Sequence, residues 1–369
     1  MNSKKKHEPK FHIAKRDDLV WWKSWLIRIC AVAVALIVCA LVTVVLTGEN
    51  PISVYVKMFD GAFGTKRRTW SLVQNIAMLL CVSLAVTPAF KMRFWNIGAE
   101  GQVLVGGLAT AACMILFGNK LPSVALYALM IVTSCLAGAV WAVIPAFFRA
   151  NWKTNETLFT LMMNYIAIQL VSHFTYIWSV PKGSGQIGVI NQSTRSGWMP
   201  SLGGYDYLLN ILVVAALTIF MYVYLRSSKQ GYEISVVGES ENTARYVGIN
   251  VKKVIIRTMI LSGMICGIAG LLLVSGTDHT ITRDTAAGRG FTAIMVSWLA
   301  KFNPLYMILT SFLIVFLQKG AIEISTTFGL NSSFADILTG IIIFFIIGSE
   351  FFINYTIKVH SSKKGEKKS

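Results

Sequence analysis

The stretch RFWNIGAEGQVLVGG, residues 93–107, places polar side chains among glycines within a long apolar region. Its polar residues include Asn96, Glu100 and Gln102, and it contains four glycines. A charged or amide side chain at the depth of a lipid bilayer is costly, so it is kept there for function or with well-placed partners. The fold around this stretch therefore decides what these three side chains do.

The composition of the chain indicates a protein with many membrane-spanning segments. Of its 369 residues, 54% are hydrophobic and 14% are charged, whereas soluble domains carry roughly 25% charged residues. The net charge of +17 comes from basic residues near both termini and in the short gaps between apolar runs. Cytoplasmic loops have this distribution under the positive-inside rule, and no basic face with interleaved aromatic residues points to nucleic acid.

Nine segments are long and apolar enough to cross a bilayer as helices. They lie at about 25–47, 71–90, 95–117, 122–148, 156–178, 206–226, 253–275, 304–320 and 334–354. A tenth piece, GFTAIMVSWLA at 290–300, is too short to cross straight, and we expect a short or re-entrant helix supported by its neighbours. The predicted fold class is all-α, a polytopic transmembrane helical bundle of about ten segments.

Ten crossings from a cytoplasmic start would place both termini and nearly every strong basic cluster in the cytoplasm. The exception is Lys66, Arg67 and Arg68, which fall in the first outer loop. The predicted organisation has three parts: a basic cytoplasmic segment at 1–24, a transmembrane domain at 25–357 and a basic cytoplasmic tail at 358–369.

Two segments between the apolar runs are polar enough to lie outside the membrane. Residues 179–205 are rich in Gly, Ser and Asn, which predicts an outer loop where a partner could dock. Residues 227–253 have the charge and length for one or two short cytoplasmic helices. Neither segment is large enough for a soluble catalytic domain.

The sequence contains little chemistry of its own. It has no GxxxxGK[ST] phosphate loop, no HExxH and no nucleophile elbow, and its six cysteines lie in apolar runs without metal-ligand spacing, so no catalytic or metal residue is predicted. The intramembrane carboxylates are essentially Glu100, Glu323 and Asp336, which leaves little for an ion-coupled mechanism. If the protein transports a solute, the driving force is expected from another chain.

Four stretches, in order along the chain, carry a family resemblance. They are FWNIGAEGQVLVGGLATAA (94–112), TNETLFTLMMNYIA (154–167), VVGESENTARYVGINV (236–251) with LSGMICGIAGLLLVSG (261–276), and GRGFTAIMVSWLAKFNPL (288–305). Together they resemble the permease subunits of ABC importers in the branched-chain amino acid, ribose and nucleoside group. The similarity spans about 60–345, and NIGAEGQ with NxxxxTLMxNYIA looks closer to the nucleoside branch.

The resemblance implies a bacterial cytoplasmic-membrane complex in which this chain binds no cofactor itself. Such importers combine two permease chains, usually different ones, with ATPase subunits that hold ATP and Mg, and with an extracytoplasmic substrate-binding lipoprotein. The cargo implied is a nucleoside moved by alternating access, and the alternative is a simple sugar such as ribose or galactose. A stand-alone channel or secondary carrier is a less supported alternative.

The resemblance also implies a cytoplasmic helix, over 238–250, that couples the permease to the ATPase. The matching positions are Gly238, Glu239, Ala244, Arg245, Gly248 and Ile249. The family more often shows Asn-Pro and a double Ala in the first turn, where this chain has SENT at 240–243. The alternative interpretation is an ordinary solvated loop helix.

For the opening stretch, two interpretations stay open. Asn96 could cap the cytoplasmic start of a helix with Glu100 in its first turn. Alternatively, the glycines could let the helix start deep in the bundle, so that Asn96, Glu100 and Gln102 line or brace a substrate path. Hydrogen bonds that brace a broken helix would satisfy both.

A second group of substrate-path candidates lies on the helix predicted at 156–178. Its helical spacing puts polar and aromatic side chains on one stripe, which should face protein or water. The stripe comprises Tyr165, Gln169, Ser172, His173 and Tyr176, with Asn164 beside it. Tyr and Gln suit a nucleoside base, a sugar would also accept this set, and interhelical hydrogen bonding is the alternative role.

Other candidates carry less support. Asn75 with Gln74 could face the path from the second helix, and Phe291 with Ser297 could do so from the short helix. An outer-loop group could contact the binding protein; its members are His279, Arg283 and Asp284.

Overall fold

The computed structural model describes residues 11–16, 20–48 and 50–359. The rest of the predicted terminal segments, 1–10, 17–19 and 360–369, lies outside the described residues. The helices are α1 Trp21–Thr47, α2 Pro51–Phe63, α3 Lys66–Lys91, α4 Ala99–Phe117, α5 Ser123–Trp152, α6 Glu156–Trp178, α7 Leu208–Ser227, α8 Lys229–Glu239, α9 Glu241–Tyr246, α10 Val251–Leu273, α11 Arg289–Leu299, α12 Pro304–Thr327 and α13 Ser332–Asn354. A π-helical turn, Val274–Asp278, extends α10, and two strands, β1 Phe11–Lys15 and β2 Tyr355–Val359, flank the helices.

The predicted all-α class is confirmed. Nine of the described helices are long and apolar enough to span a membrane: α1, α3, α4, α5, α6, α7, α10 with its π turn, α12 and α13. They correspond to the nine predicted segments. The short helix expected at 290–300 is α11, whose 11 residues extend for only roughly 16 Å at the rise of an α-helix.

Several details differ from the sequence prediction. The helix expected from residue 95 begins at Ala99, because residues 93–98 are not helical. The helix expected to end at 148 continues to Trp152, and the one expected to end at 320 continues to Thr327. Helix α2 was not predicted, since its 13 residues fall below a membrane span. The two strands were not predicted either.

The described chain divides into two compact units. One unit contains the residues up to Gly64 and those from Leu317 onward. In it, α1 packs against α13, and β1 pairs antiparallel with β2, with Phe11 opposite Val359 and Lys15 opposite Tyr355. The start of α1 and the end of α13 therefore lie at the same end of this unit.

Charged side chains reinforce that end of the first unit. The Arg28 guanidinium lies 2.5 Å from a Glu350 carboxylate oxygen, which joins α1 to α13. Arg16 Nε donates to Thr356 Oγ1 at 2.8 Å, and its backbone N–H donates to the Asn354 carbonyl at 2.9 Å. An Arg–carboxylate pair of this kind is stronger than a neutral hydrogen bond.

The second unit, residues 65–316, is built around α10. Helices α3, α4 and α10 are mostly buried, whereas only 28% of the residues in the apolar windows of α5, α6 and α7 are buried. Small residues let the backbones of α4, α5 and α10 approach closely, as is typical of helix pairs in membranes. A Cβ placed on Gly138 would lie 2.1 Å from the Gly263 carbonyl oxygen, and one on Gly267 would lie 2.1 Å from that of Ser134.

We expect Gly138→Ala to lower the free energy of unfolding by about 1–3 kcal/mol, because the added methyl forces α5 and α10 apart. The midpoint of thermal unfolding of the detergent-purified chain measures this. The matched control is Gly340→Ala on α13, where a Cβ meets nothing within 4 Å and alanine should be neutral or slightly stabilising. Equal midpoints for the two variants would contradict the packing argument.

Candidate functional site

The opening stretch forms a short non-helical segment followed by the start of α4. Arg93 has φ 59°, which turns the chain after α3, and Gly98 precedes the first helical residue, Ala99. A Cβ on Gly101 would lie 2.9 Å from Asn164 Oδ1 and 3.1 Å from the Ala167 Cβ. The glycine therefore lets the first turn of α4 lie directly against α6.

Asn96 and Gln102 form a buried amide pair at this start. Asn96 is 0% exposed and Gln102 is 1% exposed. Gln102 Nε2 donates to Asn96 Oδ1 at 3.1 Å, and the Gly98 N–H donates to the same oxygen at 3.1 Å. Asn96 Nδ2 donates to Ser262 Oγ on α10 at 3.2 Å. Asn96 thus bonds to one backbone group and two side chains, and Gln102 bonds to Asn96, so both buried amides are paired within the bundle.

Helix α6 supplies the other partners of the non-helical segment. Asn164 Nδ2 donates to the Ile97 carbonyl at 2.9 Å, and its Oδ1 accepts the Gly101 N–H at 2.8 Å. Thr160 Oγ1 accepts the Ile97 N–H at 3.2 Å. Backbone groups that a helix would have satisfied internally are satisfied here by side chains of a neighbour.

Glu100 binds the N-terminus of the short helix α11. Its Oε1 accepts the Gly288 N–H and its Oε2 accepts the Gly290 N–H, both at 2.7 Å. The first N–H groups of a helix have no partner within the helix and carry partial positive charge, so a carboxylate is a favourable partner. A Cβ on Gly290 would lie 2.4 Å from the Glu100 backbone nitrogen, so only glycine allows this approach.

Arg289 connects α11 to α3. Its NH2 group donates to Asn75 Oδ1 at 3.1 Å, and its NH1 group donates to the carbonyls of Thr285 and Ala286 at 3.3 and 3.4 Å. Asn75, a path candidate, is therefore engaged with Arg289. Phe291, the path candidate predicted together with Ser297 on the short helix, is 44% exposed.

The remaining candidates near these helices are also hydrogen-bonded inside the bundle. Ser297 Oγ donates to the Ser83 carbonyl at 3.1 Å and lies 3.0 Å from Thr87 Oγ1. Gln74 Nε2 donates to Thr277 Oγ1 on the π turn at 2.7 Å, and Asn210 Nδ2 reaches the same hydroxyl at 3.4 Å. These contacts tie α3 and α7 to the end of α10.

The structure thus brings Asn96, Glu100, Gln102 and Asn164 together as one interhelical brace. Sequence reasoning named these four but missed their partners Ser262, Gly288 and Gly290, and also Thr160, which accepts the neighbouring Ile97 N–H. The GRG triplet at 288–290 was the available signal, because glycines at a helix start leave N–H groups open to an anion. Serine and threonine within apolar helices gave no comparable signal.

The polar stripe of α6 points away from the chain's own core. Tyr165 is 59% exposed and Tyr176 is 65% exposed, and Gln169 and His173 are exposed with them. Ser172 is half-buried and donates to the Ile168 carbonyl at 2.9 Å. The buried face of α6 carries a different set: Glu156, Thr160, Met163, Asn164, Ala167, Val171 and Thr175. The stripe is therefore a polar surface on a membrane helix, open to whatever lies beside this chain.

The helix predicted over 238–250 is two helices. Gly238 and Glu239 end α8, whereas Ala244 and Arg245 belong to α9, and Ser240 separates the two. Ser240 Oγ accepts the Thr243 N–H at 3.2 Å and so caps α9. The interruption follows from the serine, which favours a cap position over a helix interior.

Both helices rest on the ends of the membrane helices. A Cβ on Gly238 would lie 2.1 Å from the Lys91 carbonyl at the end of α3. Ala244 is fully buried, while Glu239 is exposed. Gly248 has φ 83°, and the Ile249 N–H then closes the turn on the Ala244 carbonyl at 2.9 Å. Gly238 and Ala244 thus form a face of small residues that packs α8 and α9 against the ends of the membrane helices.

The opposite face of this segment is open and partly apolar. Tyr246 is 93% exposed, Val247 is 57% exposed and Tyr232 is 66% exposed. Arg245 makes a local ion pair with Glu241 at 3.3 Å. Exposed aromatic side chains outside the membrane spans are typical of protein interaction sites.

At the other end of this unit, the polar segment 179–205 is fastened to the helix ends. The Trp198 ring stacks on the His279 ring with centroids 3.8 Å apart, and Tyr127 Oη donates to the Trp198 carbonyl at 2.6 Å. Burial lowers the pKa of His279, which favours the neutral ring. Arg283 and Asp284 are exposed and pair with each other at 3.5 Å.

Comparison with known proteins identifies the family. Residues 69–347 match the family described as branched-chain amino acid transport system / permease component. This region includes the brace, the α6 stripe and helices α8 and α9. The chain belongs to this family of transport permeases.

Three similar proteins carry names that describe their cargo. The glucose ABC transporter permease TsgB13 of Haloferax volcanii is 29% identical over 88% of this chain and 87% of its own length. The guanosine ABC transporter permease NupP of Bacillus subtilis is 30% identical over 88% of this chain and 93% of its own length. The nucleoside ABC transporter permease NupB of Lactococcus lactis is 28% identical over 81% of this chain and 84% of its own length.

We expect Glu100→Gln to lower the free energy of unfolding by about 1.5–3 kcal/mol, because an amide offers one acceptor and turns a donor toward a helix N–H. Thermal unfolding measures the loss, and hydrogen exchange should show faster exchange at the Gly288 and Gly290 amides. Glu239→Gln, at an exposed carboxylate, is the control and should change little. Unchanged exchange at both glycines would contradict the role given to Glu100.

Proposed function

We propose that this chain is the membrane permease of an ATP-driven importer that carries nucleosides by alternating access. The single observation that carries the proposal is the exposed stripe of α6, which presents aromatic, amide and imidazole groups on a helix of a transport permease. Polar side chains on a membrane helix are stable where they face water or another chain, and a solute path provides both.

The chemistry of the stripe supports a nucleoside. Tyr165 and Tyr176 offer aromatic faces to a base, and base–aromatic stacking contributes about 1–3 kcal/mol per base. Gln169 and His173 offer donors and acceptors to base edges or ribose hydroxyls. Two of the three relatives above are named for guanosine or nucleosides.

A simple sugar is the second candidate cargo. A permease named for glucose is 29% identical to this chain over 338 residues, which is close to the identity with the guanosine permease. Amides, hydroxyls and aromatic faces also suit a sugar ring. Substrate measurements therefore decide between the two.

A second permease chain, different from this one, completes the path in this proposal. The α6 stripe would lie between the two permeases, so that each shields the other's polar surface from lipid. The brace at 96–102 keeps α6 fixed to α4, so the stripe would move with the bundle as a unit. Alternating access then follows from changes between the two chains.

An ATPase subunit that holds ATP and Mg would dock on α8 and α9. The exposed rings of Tyr232 and Tyr246 supply contact area, and the buried Gly238 and Ala244 tie these helices to the ends of α3, α5 and α10. A force applied to the segment would therefore reach the membrane helices directly.

An extracytoplasmic binding lipoprotein would dock at the segment 179–205 and deliver the cargo. This assigns α8, α9 and both termini to the cytoplasmic side of a bacterial cytoplasmic membrane. The pairing of β1 with β2 is consistent with termini on one side, and the Lys-rich ends of the sequence favour the cytoplasm.

The test of the function is uptake of labelled guanosine, ribose and glucose by cells with and without this chain. We expect guanosine uptake to need the chain, and Tyr165→Ala with Gln169→Ala to lower it by about tenfold through lost stacking and hydrogen bonding. Ile219→Ala, at an exposed apolar position on α7, is the control. If only glucose or ribose uptake depends on the chain, the cargo is a simple sugar instead.

The turn at Gly248, just after α9, tests the proposed coupling to the ATPase. Gly248→Ala should abolish uptake while the protein stays in the membrane, because alanine is strained at φ 83° and shifts the end of α9. Replacement of Glu239 should likewise abolish uptake. Gly329→Ala carries similar strain at φ 64° in the turn between α12 and α13 and serves as the control. Unimpaired uptake in the Gly248 and Glu239 variants would favour a stand-alone channel or secondary carrier.

A further inference from the structure

A polar cavity of about 620 Å³ opens beside α9, between the end of α5 and the start of α10. This volume lies within the roughly 300–1,000 Å³ range of small-ligand sites. The brace, the α6 stripe and the exposed tyrosines of α8 and α9 are not part of its lining. The cavity is therefore distinct from those three features, and it shares Arg245 and Ile249 with the predicted coupling segment.

The charged lining of the cavity is strongly basic. Four cationic side chains line it together with the single carboxylate of Glu241; the cations are Arg149, Lys153, Arg245 and Lys252. Glu241 is shared, since it lies 3.8 Å from Arg149 and 3.3 Å from Arg245.

Two of the cations have no carboxylate partner among the described residues. Lys252 Nζ donates to the neutral Asn151 Oδ1 at 3.3 Å, and Lys153 forms no ion pair in the part of the chain that the structure describes. Unneutralised like charges around one cavity repel one another. An anion bound there would relieve this repulsion.

The cavity also lies at the level where a membrane helix leaves the bilayer. Phe147, Phe148 and Trp152 at the end of α5 are 46%, 38% and 63% exposed, and Phe148 lies 5.2 Å from Trp152 between ring centroids. Exposed aromatic rings of this kind mark the membrane–water interface. Phosphate groups of lipids occupy the same level, and basic pockets between helices on this side are suited to anionic headgroups.

We propose that this cavity binds a phosphate group, held by Lys153 and Lys252 with Arg149 and Arg245. Its sources are the headgroup of an anionic phospholipid and soluble phosphate. The bound anion would compete with Glu241 and Glu156 for Arg149, and with Glu241 for Arg245, and so loosen the Arg149–Glu241 ion pair that links α5 to α9. The binding site does not depend on the proposed transport activity, whereas this effect on the coupling segment does.

The test measures binding to the purified full-length chain in neutral detergent, with phosphatidylglycerol, phosphatidylcholine and inorganic phosphate as separate probes. Native mass spectrometry counts retained lipid, and the thermal midpoint reports inorganic phosphate. We expect Lys153→Gln with Lys252→Gln to weaken phosphatidylglycerol binding by about tenfold, the effect of losing two partly exposed charge contacts. Lys229→Gln with Lys253→Gln removes the same charge outside the cavity and is the control.

Each outcome decides the proposal. Weaker phosphatidylglycerol binding in the cavity variant alone supports a lipid source, and a smaller response to inorganic phosphate in that variant alone supports a soluble source. Equal binding of every probe by the cavity and control variants would overturn the proposal, as would no binding of either anionic probe by the unaltered chain. None of these measurements uses uptake, so a failed transport assay leaves them interpretable.

Discussion

The structure of the second unit depends on the Glu100 carboxylate at the N-terminus of α11. In a bilayer no water is available to the first N–H groups of a helix, so each unsatisfied one would cost several kcal/mol. Glu100 satisfies two of them at 2.7 Å, and Gly290 makes room for the approach. Because of this contact, the chain can leave the π turn, run through 279–288 without helical structure and begin a new short helix inside the bundle.

The same constraint explains the other polar residues of the opening stretch. Residues 93–98 are non-helical, and side chains satisfy part of their backbone: Asn96 accepts the Gly98 N–H, and Asn164 and Thr160 of α6 bond to the Ile97 carbonyl and N–H. Glycines on α4, α5 and α10 then bring the helices close enough for these short side chains to reach. These polar side chains inside the unit therefore hold interrupted helices together, whereas the stripe of α6 faces outward from the unit.

The sequence predicts long features well and local interruptions poorly. Helix spans are readable because some twenty consecutive apolar residues are needed to cross a bilayer, and the sequence predicts all nine spans of the described residues. The sequence predicts the start of α4 at 95 instead of 99, because apolar Phe94, Trp95 and Ile97 give no sign that another helix binds the backbone there. The stripe of α6 was visible as a periodicity, but periodicity does not say whether a face meets its own core or a neighbour. The break at Ser240 was readable only as a departure from the family pattern.

Helix α3 is the element through which the proposed cytoplasmic and internal sites can influence each other. Its end accepts α8 at the Gly238–Lys91 contact. One and two turns before that end, Thr87 and Ser83 hold Ser297 of α11, and Asn75 in the N-terminal half of α3 holds Arg289. A close backbone contact transmits displacement because it cannot compress. A shift of α8 against Lys91 would therefore move α3 and α11 together. Glu100 fixes α11 to α4, and Asn164 fixes α4 to α6. The same displacement would therefore move the outward-facing stripe of α6.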